Sequence, residues 1–312
     1  VTADRAVEVC GIGKMFGSHT ALRDVTFGID TGTVFGVIGP NGAGKTTLMR
    51  TLLDIIRPTA GHARVLGTDT RNAGPELRRR IGYLPGELVL QSRITGRRLL
   101  AYYADVSGPI RPGRIEELAA RLNLDLDRPV RALSKGNRQK LGLVQAFMHE
   151  PDLLVLDEPT SGLDPLMQQE FLHLVREARN RGQTVFLSSH VISEIQQAAD
   201  EVAILRDGRV VRLATVEELR DSAVRHLRIR ASDVTVDTLS VLLEGLAGVR
   251  HVRCFAVPAG GTEATAILDG AAIQPFLLAI STLAVADLVL EEPDLEESVL
   301  GLYTIPEPLA GA

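Results

Sequence analysis

The chain is predicted to be an α/β protein followed by a smaller α+β domain. Three observations predict this. "VFGVIG", "LLVLD" and "TVFLSSH" are short runs that are apolar on both faces, the pattern of parallel strands covered on both sides. These runs alternate with helical patterns across roughly the first two thirds of the chain, which is how a sheet flanked by helices is written. After about Thr215 the order becomes strand, helix, strand, strand, helix, strand, carried by "HLRIRAS", "VDTLSVLLEGLAG", "VRHVRCFAV", "EATAILDG", "IQPFLLAISTLA" and "VADLVLEE". That β-α-β-β-α-β order is the split pattern of a ferredoxin-like domain.

In chain order, "VEVCGI" and "LRDVTFGI" read as paired strands ahead of "VFGVIG", the central strand. A glycine-rich stretch follows, then a helix from Lys45 to Ile56 that Pro58 stops. "ARVLG" and "RIGYLP" are further strands, and Arg93 to Glu150 is almost wholly helical. "LLVLD" and "TVFLSSH" resume the sheet, and "VAILRDGRVV" forms a hairpin around Asp207-Gly208. A last helix, "DLEESVLGLY", and a proline-rich tail end the chain. The expected domains are residues 1–215, with a helical subdomain at about 87–150, and residues 216–312. No solenoid-type repeat interrupts this order.

With 312 residues, 45% of them hydrophobic and 23% charged, the composition is that of a soluble globular protein. A net charge of −5 and a pI of about 5.9 exclude a general basic field for nucleic acid or anionic lipid. Lysine is scarce beside arginine, as in GC-rich genomes. No apolar run approaches the ~20 residues of a membrane span, and "VTADRAVEVC" does not have the form of a signal peptide. Any membrane role therefore runs through another chain. Cys10 and Cys254 lie far apart and outside metal-ligand spacing, and both are expected to be reduced and buried.

The chemistry begins at "GPNGAGKTT", Gly39, Pro40, Asn41, Gly42, Ala43, Gly44, Lys45, Thr46 and Thr47. It fits G-x-x-x-x-G-K-[ST] and lies between a buried strand and a helix, as the motif requires. Backbone N–H groups in such a loop turn towards phosphate oxygens, and the helix N-terminus adds a partial positive charge. Lys45 is placed to bridge β- and γ-phosphates, and the Thr46 hydroxyl to ligate Mg²⁺. "LLVLDEPT" supplies the second half of the site. Asp157 stands at the C-terminal end of an apolar strand, where ligands gather in open α/β sheets, and is a second Mg²⁺ candidate. Glu158 follows as the group to polarise an attacking water. On its own, Asp-Glu after such a strand is an ordinary solvated strand end; beside the phosphate loop, hydrolysis is the better reading.

Together with "LSKGNRQK", "SGLDP" and "SSH", these motifs identify a family. Over about residues 5–215 the chain resembles the ATPase subunit of ATP-binding cassette transporters, in the daunorubicin-resistance-like subgroup of drug exporters with a separate membrane subunit. The resemblance implies ATP and Mg²⁺ as cofactors and a P-loop NTPase fold with a mixed sheet and a helical subdomain. It implies a homodimer working with a multi-span permease on the cytoplasmic face of a bacterial plasma membrane, with no nucleic acid. "LSKGN" is similar to the signature loop usually written LSGGQ. In this family the signature loop of one subunit closes on the ATP held by the other. Ser134, Lys135, Gly136 and Asn137 are the residues implied, with Lys135 and Asn137 departing from the usual pattern. Ser134 is equally a plain helix N-cap, which is compatible with that role.

Asp164 of "SGLDP" matches the carboxylate of the loop that crosses the dimer interface, and Asp-Pro is also a natural helix start. His190 matches the switch histidine beside the Glu158 water. Phe16 matches the aromatic that stacks on adenine, with a core phenylalanine as the other reading. In "IGYLPGELVL" the family usually has glutamine at the position of Gly86, so the coupling loop is placed there and no ligand is assigned. The C-terminal domain carries no catalytic constellation, and the expectation is a packed domain that extends the dimer interface, ahead of a sensing role. The implied function is an ATP-driven exporter of a drug, antibiotic or lipid-like compound. The alternative is a soluble ATPase of the same class acting on ribosomes or DNA. One cassette, no sustained heptads and an acidic balance argue against it.

Overall fold

The computed structural model describes residues 4–88, 93–222, 225–257, 260–269 and 272–291. It divides into two compact units, residues 1–215 and 216–312. The first unit opens with two long strands, β1 (Arg5–Phe16) and β2 (His19–Asp30), paired antiparallel through several register shifts. β3 (Val34–Ile38) is buried at every residue and leads into α1 (Lys45–Leu52). β4 (Ala60–Val65), the two-residue β5 (Thr68–Asp69), α2 (Pro75–Arg79) and β6 (Ile81–Leu84) follow. Three helices come next: α3 (Gly96–Ser107), α4 (Arg114–Arg121) and α5 (Lys135–Phe147). The unit closes with β7 (Leu153–Asp157), α6 (Pro165–Asn180), β8 (Thr184–Ser189), α7 (Ile192–Ala198), β9 (Glu201–Arg206) and β10 (Arg209–Thr215).

These strands form two sheets. β2-β1-β4-β5 is antiparallel, and β10-β9-β3-β8-β7-β6 is parallel apart from β10. Phe27 of β2 stacks on Phe35 of β3 at 5.2 Å between ring centroids, and both tilt against Phe186 of β8, so one aromatic cluster joins the sheets. The parallel strands carry no outward polar face because both sides are covered, which is why their sequences lack alternation. The β9–β10 turn holds Asp207 at φ 48° and Gly208 at φ 77°, the left-handed pair that a tight hairpin needs.

Two expectations are corrected here. Helix α1 stops at Leu52 and does not reach Ile56. Asp54 turns left-handed at φ 53°, and the N–H groups of Ile55 and Ile56 both return to the carbonyl of Arg50, so the helix is closed before Pro58 acts. Cys10 is exposed, because Val9 and Ile12 of β1 take the core side, while Cys254 is half-buried; both thiols are free.

The second unit contains α8 (Val216–Ser222), β11 (Arg225–Ala231), α9 (Val236–Glu244), β12 (Val249–Ala256), β13 (Thr262–Leu268), α10 (Ile273–Ile280) and β14 (Val285–Glu291). Its sheet runs β12-β13-β11-β14 with every pairing antiparallel, so two β-α-β units interleave. Leu227, Ile229, Leu239, Leu243 and Phe276 lie in its core. The helix read in "DLEESVLGLY" and the proline-rich tail lie outside the described residues.

Candidate nucleotide-hydrolysis site

The glycine-rich loop leaves β3 at the C-terminal edge of the parallel sheet and enters α1 through Gly44, which caps the helix with φ 110°. A Cβ there would lie 2.7 Å from the carbonyl of Ala21, so only glycine fits. A cavity of about 340 Å³ sits over this loop. Pro40, Asn41, Gly42, Gly44, Lys45, Thr46 and Thr47 line it, together with Phe16, His19, Ala21 and Glu158. Gly39 contributes its carbonyl, which accepts from Lys45 Nζ at 2.6 Å. The Ala43 side chain is buried away from the cavity, and its backbone N–H donates to Pro40 at 3.1 Å. Phe16 is 47% exposed, which settles the core reading against it, and Lys14 Nζ stands 4.9 Å from its ring centroid.

Asp157 is wholly buried at the end of β7. Its Oδ2 accepts from the Thr46 hydroxyl at 2.7 Å and its Oδ1 from the Ser188 hydroxyl at 2.7 Å. Parallel pairing of β7 with β8 puts Ser188 directly beside Asp157. Thr46 and Asp157 thus present two hard oxygen donors side by side. This suits Mg²⁺, which takes one or two protein oxygens and keeps the rest of its shell for water and phosphate.

Glu158 has φ 49°, a left-handed conformation for a residue with a side chain. Four hydrogen bonds hold its backbone region, one of them from the Ser161 N–H to the Glu158 carbonyl at 3.1 Å. The Glu158 N–H donates to Ser188 Oγ at 3.0 Å, and the Gln139 amide donates to the carbonyls of Glu158 and Pro159 at 3.1 and 3.0 Å. Its Oε2 meets His190 Nδ1 at 2.5 Å. Its Oε1 stands 3.2 Å from Lys45 Nζ, an ion-pair contact without hydrogen-bond geometry. The phosphate-loop lysine, both acidic residues and His190 therefore meet at one place. On the next strand, burial pushes the Tyr83 hydroxyl above its ordinary pKa; a hydrogen bond with Arg50 opposes this and the negative Asp157 adds to it.

Residues 134–137 do not line this cavity. Ser134 caps α5 by accepting from the Asn137 N–H at 3.2 Å, and Asp164 caps α6 by accepting from Met167 N–H at 3.1 Å. The two caps belong to neighbouring segments. Lys135 Nζ donates to Ser161 Oγ at 3.1 Å, and a Cβ on Gly136 would lie 2.5 Å from the Gly162 carbonyl. Arg121 of α4 adds a bidentate pair with Glu177 and a bond to Glu170, fastening the helical segment to α6. Gly86 lies against Asp157: a Cβ there would be 2.9 Å from Oδ2. Glu87 beside it is exposed.

Sequence reasoning assigned no role to Ser188, Gln139 or His19. Ser188 and Gln139 sit inside quoted motifs, but only strand register and helix packing show what they touch.

A glycine-rich phosphate loop, an adjoining hydroxyl and carboxylate, and a second carboxylate facing the loop lysine define a P-loop nucleoside triphosphatase. Comparison with known proteins narrows the class. Residues 22–161 match the family described as ABC transporter. The bacitracin transport ATP-binding protein BcrA of Bacillus licheniformis is 33% identical, covering 73% of this chain and 75% of the relative. The daunorubicin resistance ATP-binding protein DrrA3 of Streptomyces coeruleorubidus is 39% identical, covering 70% and 71%. A solved ATP-binding subunit of an ABC transporter superposes with a TM-score of 0.64 at 30% identity, covering 69% of this chain and 92% of that one. The chain belongs to the ABC transporter family and is an ATP-binding ATPase.

Proposed function

We propose that this chain is the ATPase subunit of a bacterial exporter of drugs, antibiotics or lipid-like compounds, a homodimer acting through a separate multi-span membrane subunit. The observation that carries this is the split site. The phosphate loop and Glu158 line one cavity, with Asp157 bonded to Thr46 and His190 to Glu158 beside it, while Ser134, Lys135, Gly136 and Asn137 take no part in that cluster. A second copy supplies the missing side, with Asp164 in the loop that crosses between them. The relatives named for bacitracin transport and daunorubicin resistance support export of such compounds. Among the described residues no helix is long and apolar enough to cross a membrane, in keeping with a peripheral subunit on the cytoplasmic face. An apolar groove of about 330 Å³, lined by Leu52, Ile55, Leu77, Ile81 and Tyr83 among others, offers a place for a helical segment of the membrane subunit. It adjoins β6, which runs into the loop at Gly86.

In this reading adenine stacks on Phe16 and the loop N–H groups hold the phosphates. Thr46 and Asp157 would hold Mg²⁺, which when bound would supply positive charge against the phosphate oxygens. Glu158 takes a proton from water as its oxygen bonds to the γ-phosphorus and the bond to the β-phosphate oxygen breaks, giving ADP and phosphate. His190 holds the Glu158 carboxylate, and Lys45 stabilises charge on the transferred group. Glu158→Gln should bind ATP as the parent does while turnover falls by about 10²-fold or more. Parental turnover by this variant would overturn the assignment. Gentle solubilisation of host membranes should recover the chain with a multi-span protein; recovery on ribosomes or alone would overturn the export reading.

A further inference from the structure

Gln139 is only 3% exposed and lies in the second turn of α5, where its amide nitrogen donates to two consecutive carbonyls, those of Glu158 and Pro159. Both amide hydrogens are thereby committed to the backbone on either side of the Glu158–Pro159 peptide bond. Glu158 needs such support, because its left-handed backbone is unfavourable for a residue with a Cβ and persists only when its surroundings impose it. Ser188 holds the N–H side of this residue; on the carbonyl side the Gln139 amide joins the Ser161 N–H, and Gln139 alone reaches it from α5. The first turn of the same helix is pressed onto the following residues by the Gly136–Gly162 approach and the Lys135–Ser161 bond.

We infer that Gln139 is a positioning residue that sets the Glu158 carboxylate and ties it to the first turn of α5. This rests on the reading of Glu158 as the base. With Ser134 and Gly136 facing the nucleotide of a second copy, whatever meets that turn is relayed through one rigid helix and one amide to the carboxylate of this copy's own site. The second acid is thus placed from two directions. Sheet register acts through Ser188, and α5 acts through Gln139.

The test uses the full-length chain and steady-state Mg-ATP hydrolysis. Gln139→Met keeps the volume and removes the donor. It should lower kcat by about ten-fold or more with the ATP KM within about two-fold, the signature of an interaction that matters in the transition state. The same substitution in a Glu158→Gln background should change the residual rate by less than about two-fold, because a group that acts through Glu158 has nothing left to position. Gln139→Glu cannot donate when ionised but can donate once protonated. Burial raises a carboxyl pKa, so its rate relative to the parent should climb several-fold as pH falls from about 8 to about 6. Parental kcat in Gln139→Met, or an equal loss in both backgrounds, would overturn the inference. Should Gln139→Met not fold, a flat rate ratio for Gln139→Glu across that range would overturn it alone. Failure of the underlying reading looks different: Glu158→Gln would then hydrolyse ATP at the parental rate.

Discussion

Ser188→Ala removes a single oxygen and two hydrogen bonds. That oxygen donates to the Asp157 carboxylate at 2.7 Å and accepts from the Glu158 N–H at 3.0 Å. A bond to a charged partner contributes about 1.5–3 kcal/mol and a neutral one about 0.5–1.5. Water offers no replacement, since Ser188 and Asp157 are both 0% exposed. Two bonds sharing one atom are coupled, which places the combined loss in the lower half of that span, about 3 kcal/mol. Relaxation of the left-handed backbone at Glu158 returns about 1 kcal/mol of this. The expected net destabilisation is about 2 kcal/mol, which lowers the melting temperature of a unit of this size by roughly 4–8 °C. Thermal unfolding followed by circular dichroism measures it, and the same preparation should lose about ten-fold or more in ATP turnover because Glu158 has lost its anchor. A melting temperature within about 1 °C of the parent, with unchanged turnover, would refute the reasoning from the hydroxyl to both acids.

Two further perturbations probe neighbouring features. Gly86→Ala places a Cβ 2.9 Å from Asp157 Oδ2; the carboxylate must yield, the Thr46–Asp157 pair opens, and the Mg²⁺ concentration for half-maximal hydrolysis should rise about three-fold or more. Magnesium titration of the ATPase rate checks this, and an unshifted curve counts against the close approach. Burial holds the His149 imidazole below its ordinary pKa, the Ile81 carbonyl pulling the other way. The unfolded chain takes up a proton near pH ~6.5 that the folded chain refuses, so stability is full above ~6.5 and is lost as pH falls below it. Urea midpoints at about pH 8 and about pH 5.5 should differ less in His149→Phe than in the parent; equal differences would dismiss the role of His149.

The phosphate loop was legible because its chemistry is contiguous: nine residues carry the turn, the lysine and the hydroxyl, and the flanking strand and helix announce themselves by period. The Asp207-Gly208 hairpin and the strand-helix order after Thr215 are local patterns of the same kind. The support beneath the acids was not legible, because it depends on distance in sequence. Ser188 is 31 residues from Asp157. Only the parallel register of β7 and β8 brings them together, and an apolar run does not state its neighbour. Gln139 looked like one polar residue among several at a helix start, and its target became visible only with α5 packed on the segment after β7. The end of α1 was missed for a third reason. Helical apolar spacing continues through "LLDII", and nothing in the period marks Asp54 as the residue that turns left-handed.

The backbone at Glu158 has a consequence for how this chain can change over generations. β7 ends at Asp157, which bonds to Thr46 from a buried position; the chain then reverses its handedness at Glu158, which lines the cavity and faces Lys45. That reversal disfavours β-branched residues at 158 and favours glycine or asparagine, which occupy the region at less cost. Glycine there would relieve about 1 kcal/mol of backbone strain but would strip the buried Lys45 of its carboxylate partner and His190 of its hydrogen bond. A glutamate kept at this position carries backbone strain for the sake of its side chain, and a descendant in which Lys45 no longer meets phosphate would be free to lose both together.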